Sequence, residues 1–201
     1  MLPRAKEAWC PGGPGHTGSA QDLALQVGGQ LGTGGLSHAF WAPVSIRQRA
    51  DGSTAAFPHF VMDRGKPGMI AVDSQGQRYL NESTSYHLFG LAMQAHDRNV
   101  QSVPTWLVCD AGALKRYGLG MIRPGGKGLA PFLADGYLKR GTTLEDLAKQ
   151  LSIPEINLRT TVERFNQFAD KGVDEDFKRG TTDYQRANGD ATWTGPNPCL
   201  G

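Results

Sequence analysis

Asn81, Glu82, Ser83, Thr84 and Tyr86 bring an amide, a carboxylate, two hydroxyls and a phenol into one short run. A phenol takes a carbon-bound proton only when hydrogen bonds stabilise its phenolate, and neighbouring N–H and O–H donors are the groups that supply them. Tyr86, Glu82 and Asn81 are the candidate residues for chemistry in this run, with His87 beside them. The plainer reading of the same residues is that Asn81 and Ser83 cap a helix and Tyr86 is half-buried core. The residue types alone leave both open.

The elements around this run must place it. Residues 69–72 read as a short apolar strand, 73–76 as a polar turn, and 77–80 as the return arm of a hairpin. Tyr86, Leu88/Phe89 and Met93 then recur at helical spacing, which predicts a helix over 85–97. The chemical run thus falls at a strand-to-helix junction, where polar groups sit on the rim of a domain. Residues 103–110 read as a buried strand, with Asp110 capping a short helix over 111–117. A helical hairpin is predicted over 142–169. Thr142 to Glu145 forms its capping box, Leu144, Leu147, Ala148 and Leu151 turn inward, Pro154 opens the second helix, and Leu158, Val162, Phe165 and Phe168/Ala169 share a face ending before Gly172. Near the N-terminus a helix is expected over 17–31, capped by Thr17 or Ser19, with Leu23, Val27 and Leu31 on one face.

Composition narrows the function classes. The 201 residues carry a formal charge of +2, which offers no electrostatic footprint for nucleic acid or an anionic membrane. No apolar run approaches the roughly 18 residues of a membrane span, and the N-terminus lacks a signal-peptide h-region. Cys10, Cys109 and Cys199 are three, far apart and without C-x-x-C spacing, so reduced thiols in the cytoplasm are expected and no zinc or other metal site is. Asp174 and Asp176 lack the order of a calcium loop, and the glycines of 118–128 lack the order of a phosphate loop. Asp63 beside Arg64 reads as a surface ion pair or as a device fixing the loop they occupy.

Gly68-Met-Ile-Ala-Val-Asp-Ser-Gln-Gly-Gln-Arg78-Tyr79-Leu-Asn81-Glu82 resembles the G-x-I-x-V-x-x-x-G-x-R-[FY]-x-N-E segment of the flavoprotein family of fumarate reductases, succinate dehydrogenases and 3-ketosteroid Δ1-dehydrogenases. Phe57-Pro58 through Asp63-Arg64 to Pro67-Gly68 resembles the F-P-x-x-x-x-D-R-x-x-P-G passage of the ketosteroid branch. Pro104-x-Trp106-x-Val108-x-Asp110 and the helical hairpin wording match as well. Thr17-Gly18-Ser19 resembles a segment of the family's FAD domain. The resemblance implies an FAD-dependent enzyme in which residues 1–42 are a remnant of the FAD domain, 43–195 the substrate-capping domain, and 196–201 the start of the return to the FAD domain. It implies Tyr86 as the base for dehydrogenation beside a ketone, with Thr17 and Gly18 on the cofactor side. Fumarate-type members carry an Arg-Asp pair where this chain has Tyr86-His87, with no arginine until Arg98. Since a dicarboxylate needs fixed cations, a ketone-bearing, steroid-like substrate is implied.

The expected fold is α+β, a small mixed sheet around the 69–80 hairpin and the 103–109 strand with flanking helices, lacking the dinucleotide-binding Rossmann part. No Gly-x-Gly-x-x-Gly follows an opening strand, so FAD binding by this chain alone is expected to be weak or absent and the isolated chain silent. The alternative is a non-catalytic cap-like module that binds an apolar ligand or forms a homo-oligomer through the face an FAD domain would cover.

Overall fold

The structure, a computed structural model, describes residues 13, 15–32, 34, 35, 37 and 39–201. Cys10 lies outside them. The chain divides into two compact units, Met1–Phe40 and Trp41–Gly201.

In the first unit the one described helix, α1, spans Ser19–Gln26. It is shorter than the expected 17–31 because Gly28 takes a φ of +88° and the Gly29 N–H folds back to the Ala24 carbonyl at 2.8 Å. Its N-cap is Gly18, at φ +95° and without a side-chain cap bond, so neither Thr17 nor Ser19 caps it. Leu23, Val27 and Leu31 do not form a core stripe: they are 63%, 86% and 67% exposed.

The second unit opens with a hairpin, β1 (Val44–Gln48) against β2 (Thr54–Pro58), running Val44↔Pro58 to Gln48↔Thr54. Its Gly52 adopts φ +80°, and Asp51 accepts from the Ser53 N–H at 2.9 Å. One helical turn, α2 (Val61–Arg64), leads to β3 (Met69–Val72). Then follow α3 (Tyr86–His96), β4 (Trp106–Cys109), α4 (Ala111–Tyr117), α5 (Ala130–Ala134), α6 (Leu144–Leu151), α7 (Glu155–Lys171) and α8 (Asp183–Asn188). This is the expected α+β class. The described strands form two antiparallel pairs rather than one mixed sheet, β1 with β2 and β3 with β4.

All four residues of β3 are buried, and their alternation sorts them onto two faces. Ile70 and Val72, with Val108 of β4, join Ala148 and Leu151 of α6, Leu158, Phe165 and Phe168 of α7, and Leu200. Ala71 packs on the opposite side with Leu80 and Phe89 of α3. The inward faces predicted for α6 and α7 are therefore the observed ones. The cap of α6 is shifted by one residue: Thr143 accepts from the Asp146 N–H while Asp146 accepts from the Thr142 N–H at 3.0 Å, so the box partner is Asp146 and not Glu145. Pro154 stands at the N-cap of α7, and Gly172 closes it at φ +73°. Asp110 caps α4 as expected, accepting from the Ala113 N–H at 2.7 Å.

The 69–80 hairpin is where the expectation fails. The turn exists, with the Asp73 N–H on the Gln77 carbonyl at 3.0 Å and the Asp73 carboxylate taking the Gln75 and Gln77 N–H groups. No return strand follows it. β3 pairs with β4, Met69↔Cys109 through Val72↔Trp106, and its other edge is occupied by side chains. The Ala71 N–H donates to Glu82 Oε1 at 3.1 Å, and the Met69 carbonyl accepts from Arg179 Nη1 at 2.6 Å.

Candidate active site

Tyr86 is the first residue of α3, behind the N-cap Ser85, whose hydroxyl accepts from the Leu88 N–H at 3.3 Å. The backbone before it is pinned from several sides. Asn81 accepts from the Ser83 N–H at 2.9 Å and donates to the Phe177 carbonyl at 3.0 Å. Arg64, fully buried, donates to the carbonyls of Glu82 and Thr84, the latter at 2.8 Å. It does not pair with Asp63 on the surface; burial pushes its guanidinium down to about 10, still charged at neutral pH. The loop-fixing reading of Arg64 is the one the structure supports.

Behind this segment lies an ion cluster. Arg78 grips Glu82 with two bonds of 2.7 Å and Asp174 with two of 2.9 and 3.4 Å, and Arg179 reaches Glu82 at 3.1 Å. Glu82, Asp174 and Arg179 are fully buried. Burial alone drives the Glu82 carboxyl up, but Arg78 and Arg179 outweigh it and hold the group below its ordinary value. Asp174 is lowered in the same way, burial being overcome by Arg78 and by backbone N–H groups. Glu82 is therefore an ionised, fully paired anion inside the domain, and it supports the Tyr86 segment from within. Asn81 does so from the flank.

What reaches the surface is Tyr86, 37% exposed, its ring edge-to-face with Phe60 at 5.3 Å and 82°. Its hydroxyl has no hydrogen-bond partner among the described residues, so the network expected around it from Asn81, Glu82 and His87 is not formed by them. His87 turns its Nδ1 to the Trp41 N–H at 3.1 Å. Phe60, itself 39% exposed, follows His59 and caps α2, so a second pinned segment carries the ring beside Tyr86. Sequence reading missed Phe60, Arg78, Asp174 and Arg179. Only the i,i+4 spacing of Arg78 and Glu82 carried a local signal; Asp174 and Arg179 are 96 and 97 residues from their partners.

Of the two residues expected to meet the cofactor, Thr17 places its hydroxyl 3.3 Å from Ser19 Oγ, and Gly18 is the N-cap of α1 with no side-chain cap bond. These donors suit the neutral polar edge of a flavin. Asp22 in the same turn opposes a pyrophosphate, so the set fits one part of FAD only.

Comparison with known proteins gives the family to which this α+β frame belongs. The chain belongs to the FAD binding domain family, whose model matches residues 1–198. Its relatives include the 4-oxocyclohex-2-ene-1-carboxylate 5-dehydrogenase of Sinomonas cyclohexanicum, 38% identical over 92% of this chain and 31% of the relative. A 3-oxosteroid 1-dehydrogenase of Mycolicibacterium smegmatis is 33% identical over 96% of this chain and 33% of its own length. The solved structure of 3-ketosteroid Δ1-dehydrogenase from Sterolibacterium denitrificans, in complex with 1,4-androstadiene-3,17-dione, matches with a TM-score of 0.75 and 32% identity over 96% of this chain and 34% of that one. The chain thus spans about a third of the length of the curated relatives it matches. The resemblance to the ketosteroid branch and FAD as the family's cofactor are borne out. Among the described residues no helix is long and apolar enough to cross a membrane.

Proposed function

We propose that this chain is the substrate-capping part of an FAD-dependent oxidoreductase that dehydrogenates a C–C bond next to a ketone, with Tyr86 taking the α-proton. The observation that carries this reading is Tyr86 itself: a phenol at the rim, its backbone held by Arg64, Asn81 and Glu82, its ring braced by Phe60. The ketone acidifies the α-proton, and a base of fixed position removes it with little reorganisation. The flavin, when bound, supplies the hydride acceptor. Phe60 and the face of Tyr86 offer apolar surface to a steroid-like ring system. The guanidiniums behind them, Arg64, Arg78 and Arg179, are buried and already paired with carbonyls and carboxylates. These three guanidiniums are therefore not on offer to a dicarboxylate, which favours a ketone over a fumarate-type substrate. The named relatives, all dehydrogenases of oxo compounds, support the same class.

The donor set at Thr17 and Gly18 is too small to hold FAD, so the 201-residue chain alone stays colourless after mixing with FAD and gel filtration. It turns over no substrate. The thiols of Cys109 and Cys199 are free, in keeping with a cytoplasmic site of action. The exposed Leu23, Leu25, Val27 and Leu31 are the surface through which an isolated chain would self-associate, which the same column reads out.

The decisive experiment is Tyr86→Phe in the flavin-loaded protein that contains this chain, assayed with a 3-ketosteroid and an artificial electron acceptor. Loss of the base lowers kcat by about 10²–10⁴-fold, with the flavin still bound. A variant that keeps its turnover within about twofold removes Tyr86 from the chemistry.

A further inference from the structure

A second hydrogen-bonded chain of acid–base side chains lies beside the candidate active site. Asp63 Oδ2 is 2.6 Å from His59 Nδ1, His59 Nε2 is 2.7 Å from Ser45 Oγ, and Ser45 Oγ is 2.7 Å from the Tyr137 hydroxyl. The Tyr137 oxygen in turn accepts from the Met121 N–H at 3.2 Å. The chain joins β1, α2, the segment after α5, and the tight turn in which Leu119 and Ile122 exchange both backbone bonds. Gly120 of that turn, at φ +58°, lies against the Tyr137 hydroxyl and His59 Cε1, with no space for a side chain. The His59 side chain is only 7% exposed.

The two ends of this chain fix the direction of every bond in it. The Met121 amide only donates, and an Asp63 carboxylate only accepts. His59 must then donate from Nδ1, which leaves Nε2 of the neutral ring as an acceptor. Ser45 spends its one proton on Nε2, so Tyr137 must donate to Ser45, and its oxygen is free for Met121. His59, Ser45 and Tyr137 are satisfied in one arrangement, with neutral His59, while Asp63 keeps Oδ1 buried without a hydrogen-bond partner. Aspartate, histidine and serine at these distances also suggest a nucleophile relay. Here the Ser45 oxygen is covered by Tyr137, and the turn closes over both.

We propose that His59 is a pH-operated latch that fastens the 118–122 turn to the β1–β2 hairpin and α2 through Ser45 and Tyr137. Protonation puts a second donor on His59, and Ser45 must accept from Nε2. The Ser45 hydroxyl then turns to the Tyr137 oxygen, which already takes the Met121 N–H, and the Tyr137 proton loses its acceptor beside a backbone that leaves it no room. The bond to Met121 is the one that yields. Histidine is the side chain that ordinarily changes charge between pH 5 and 8. The other titratable or charged groups on the packed elements are Asp63, Arg64, Arg47, Asp135 and Tyr137, with Lys139 and Arg140 exposed further along the segment after α5. Arg47 and Asp135 pair with each other at 2.6 Å, Arg64 is committed to the Glu82 and Thr84 carbonyls, and β2 and the 118–122 turn bring none. Since Phe60 follows His59 and braces Tyr86, release also reaches the candidate active site. That consequence rests on the function proposed above; the latch does not.

The test is an NMR titration of the isotope-labelled chain between pH 8 and pH 5, following the His59 ring nitrogens and the Met121 amide. At high pH His59 is the Nδ1–H tautomer, and on acidification the Met121 amide proton moves upfield along the same curve as the ring. Ser45→Ala takes the acceptor of the Tyr137 proton away at every pH, so its Met121 amide is already upfield at pH 8 and no longer follows His59. Tyr137→Phe gives an amide already upfield at pH 8. An Nε2–H tautomer, a His59 still neutral at pH 5, or a Met121 amide that stays put while His59 charges overturns the latch. So does covalent labelling of Ser45 by a fluorophosphonate, which would make the chain a nucleophile relay. None of these outcomes depends on turnover, so they stand apart from the fate of the Tyr86 proposal.

Discussion

Glu82 and Arg179 stand together where a third strand would pair with β3. Arg179 Nη1 gives one bond to Glu82 Oε2 at 3.1 Å and another to the Met69 carbonyl at 2.6 Å, while Glu82 Oε1 takes the Ala71 N–H. The Met69 carbonyl and the Ala71 N–H lie on the same edge of the strand, so the ion pair closes an edge that would otherwise be buried without partners. Arg78 and Asp174 complete the charge balance around it.

Glu82→Gln tests this arrangement with little change of shape. The amide can still accept from Ala71, but Arg78 and Arg179 lose their shared anion inside the domain. Breaking a buried pair from one side costs about 3–5 kcal/mol. Urea unfolding is expected to show a midpoint lowered accordingly with an unchanged slope. A loss below about 1 kcal/mol, the level of exposed ion pairs, would mean that the cluster is solvated and that the edge has other support.

The same cluster sets the acid limit of stability. Glu82 and Asp174 are both held below their ordinary values in the folded chain. A carboxyl lowered by folding contributes stability that is complete above its unfolded pKa, near 4, and disappears as pH falls through the folded value. The contribution of these two carboxyls should be flat from pH 7 to about 5 and fall steeply below about 4. In Glu82→Gln the fall should be shallower, since one of the two coupled groups no longer titrates. Urea midpoints at pH 7, 5 and 3.5 for both chains read this directly.

Much of this frame was legible because it is local. Asp110 before Ala111–Tyr117, and the apolar spacing of Leu158, Val162, Phe165 and Phe168, carry their own helical signals. The polar run before Tyr86 likewise announced a helix start. The return arm of the 69–80 hairpin was misread because alternation in Gln77–Leu80 says nothing about what already occupies the β3 edge. Arg179 fills that position from 110 residues away. α1 was misread for a related reason: its leucines have helical spacing, and periodicity does not reveal whether anything packs against it. Tyr86 was singled out through the family resemblance, whereas Phe60, which sits across from it, had no pattern of its own.

Tyr86→Phe should separate chemistry from fold. The side chain is more than a third exposed and its hydroxyl is unpaired among the described residues, so removing the oxygen leaves stability within about 0.5 kcal/mol. The Phe60 contact survives, because it is made by the ring. Thermal melts of this chain should therefore coincide for wild type and variant, so that a loss of turnover in the flavin-loaded protein reports on the hydroxyl. A melt shifted by several degrees would mean that the phenol has an internal structural partner.

Gly76 ties the Asp73 turn to α7, and it is sensitive for two independent reasons. Its φ is +73°, a conformation that side-chain-bearing residues adopt only with strain, and an added Cβ would lie 3.1 Å from the Leu158 amide nitrogen. The turn is also docked by hydrogen bonds, from Asn157 Nδ2 to the Gln75 carbonyl at 2.9 Å and from Thr161 Oγ1 to the Gly76 carbonyl at 2.8 Å. Gly76→Ala must either twist the turn or push it off α7, and each route costs more than about 1 kcal/mol. If displacement from α7 dominates, the Thr161 bond is already lost in the variant, and Thr161→Ala should add little to it. If backbone strain dominates, the two substitutions should add. A double-mutant cycle in urea separates these cases, and additivity within about 0.3–0.5 kcal/mol marks the second. Because Arg78 leaves the chain two residues after Gly76, displacement should also loosen its grip on Glu82. The Gly76→Ala chain is then expected to lose part of the steep acid transition that the ion cluster confers.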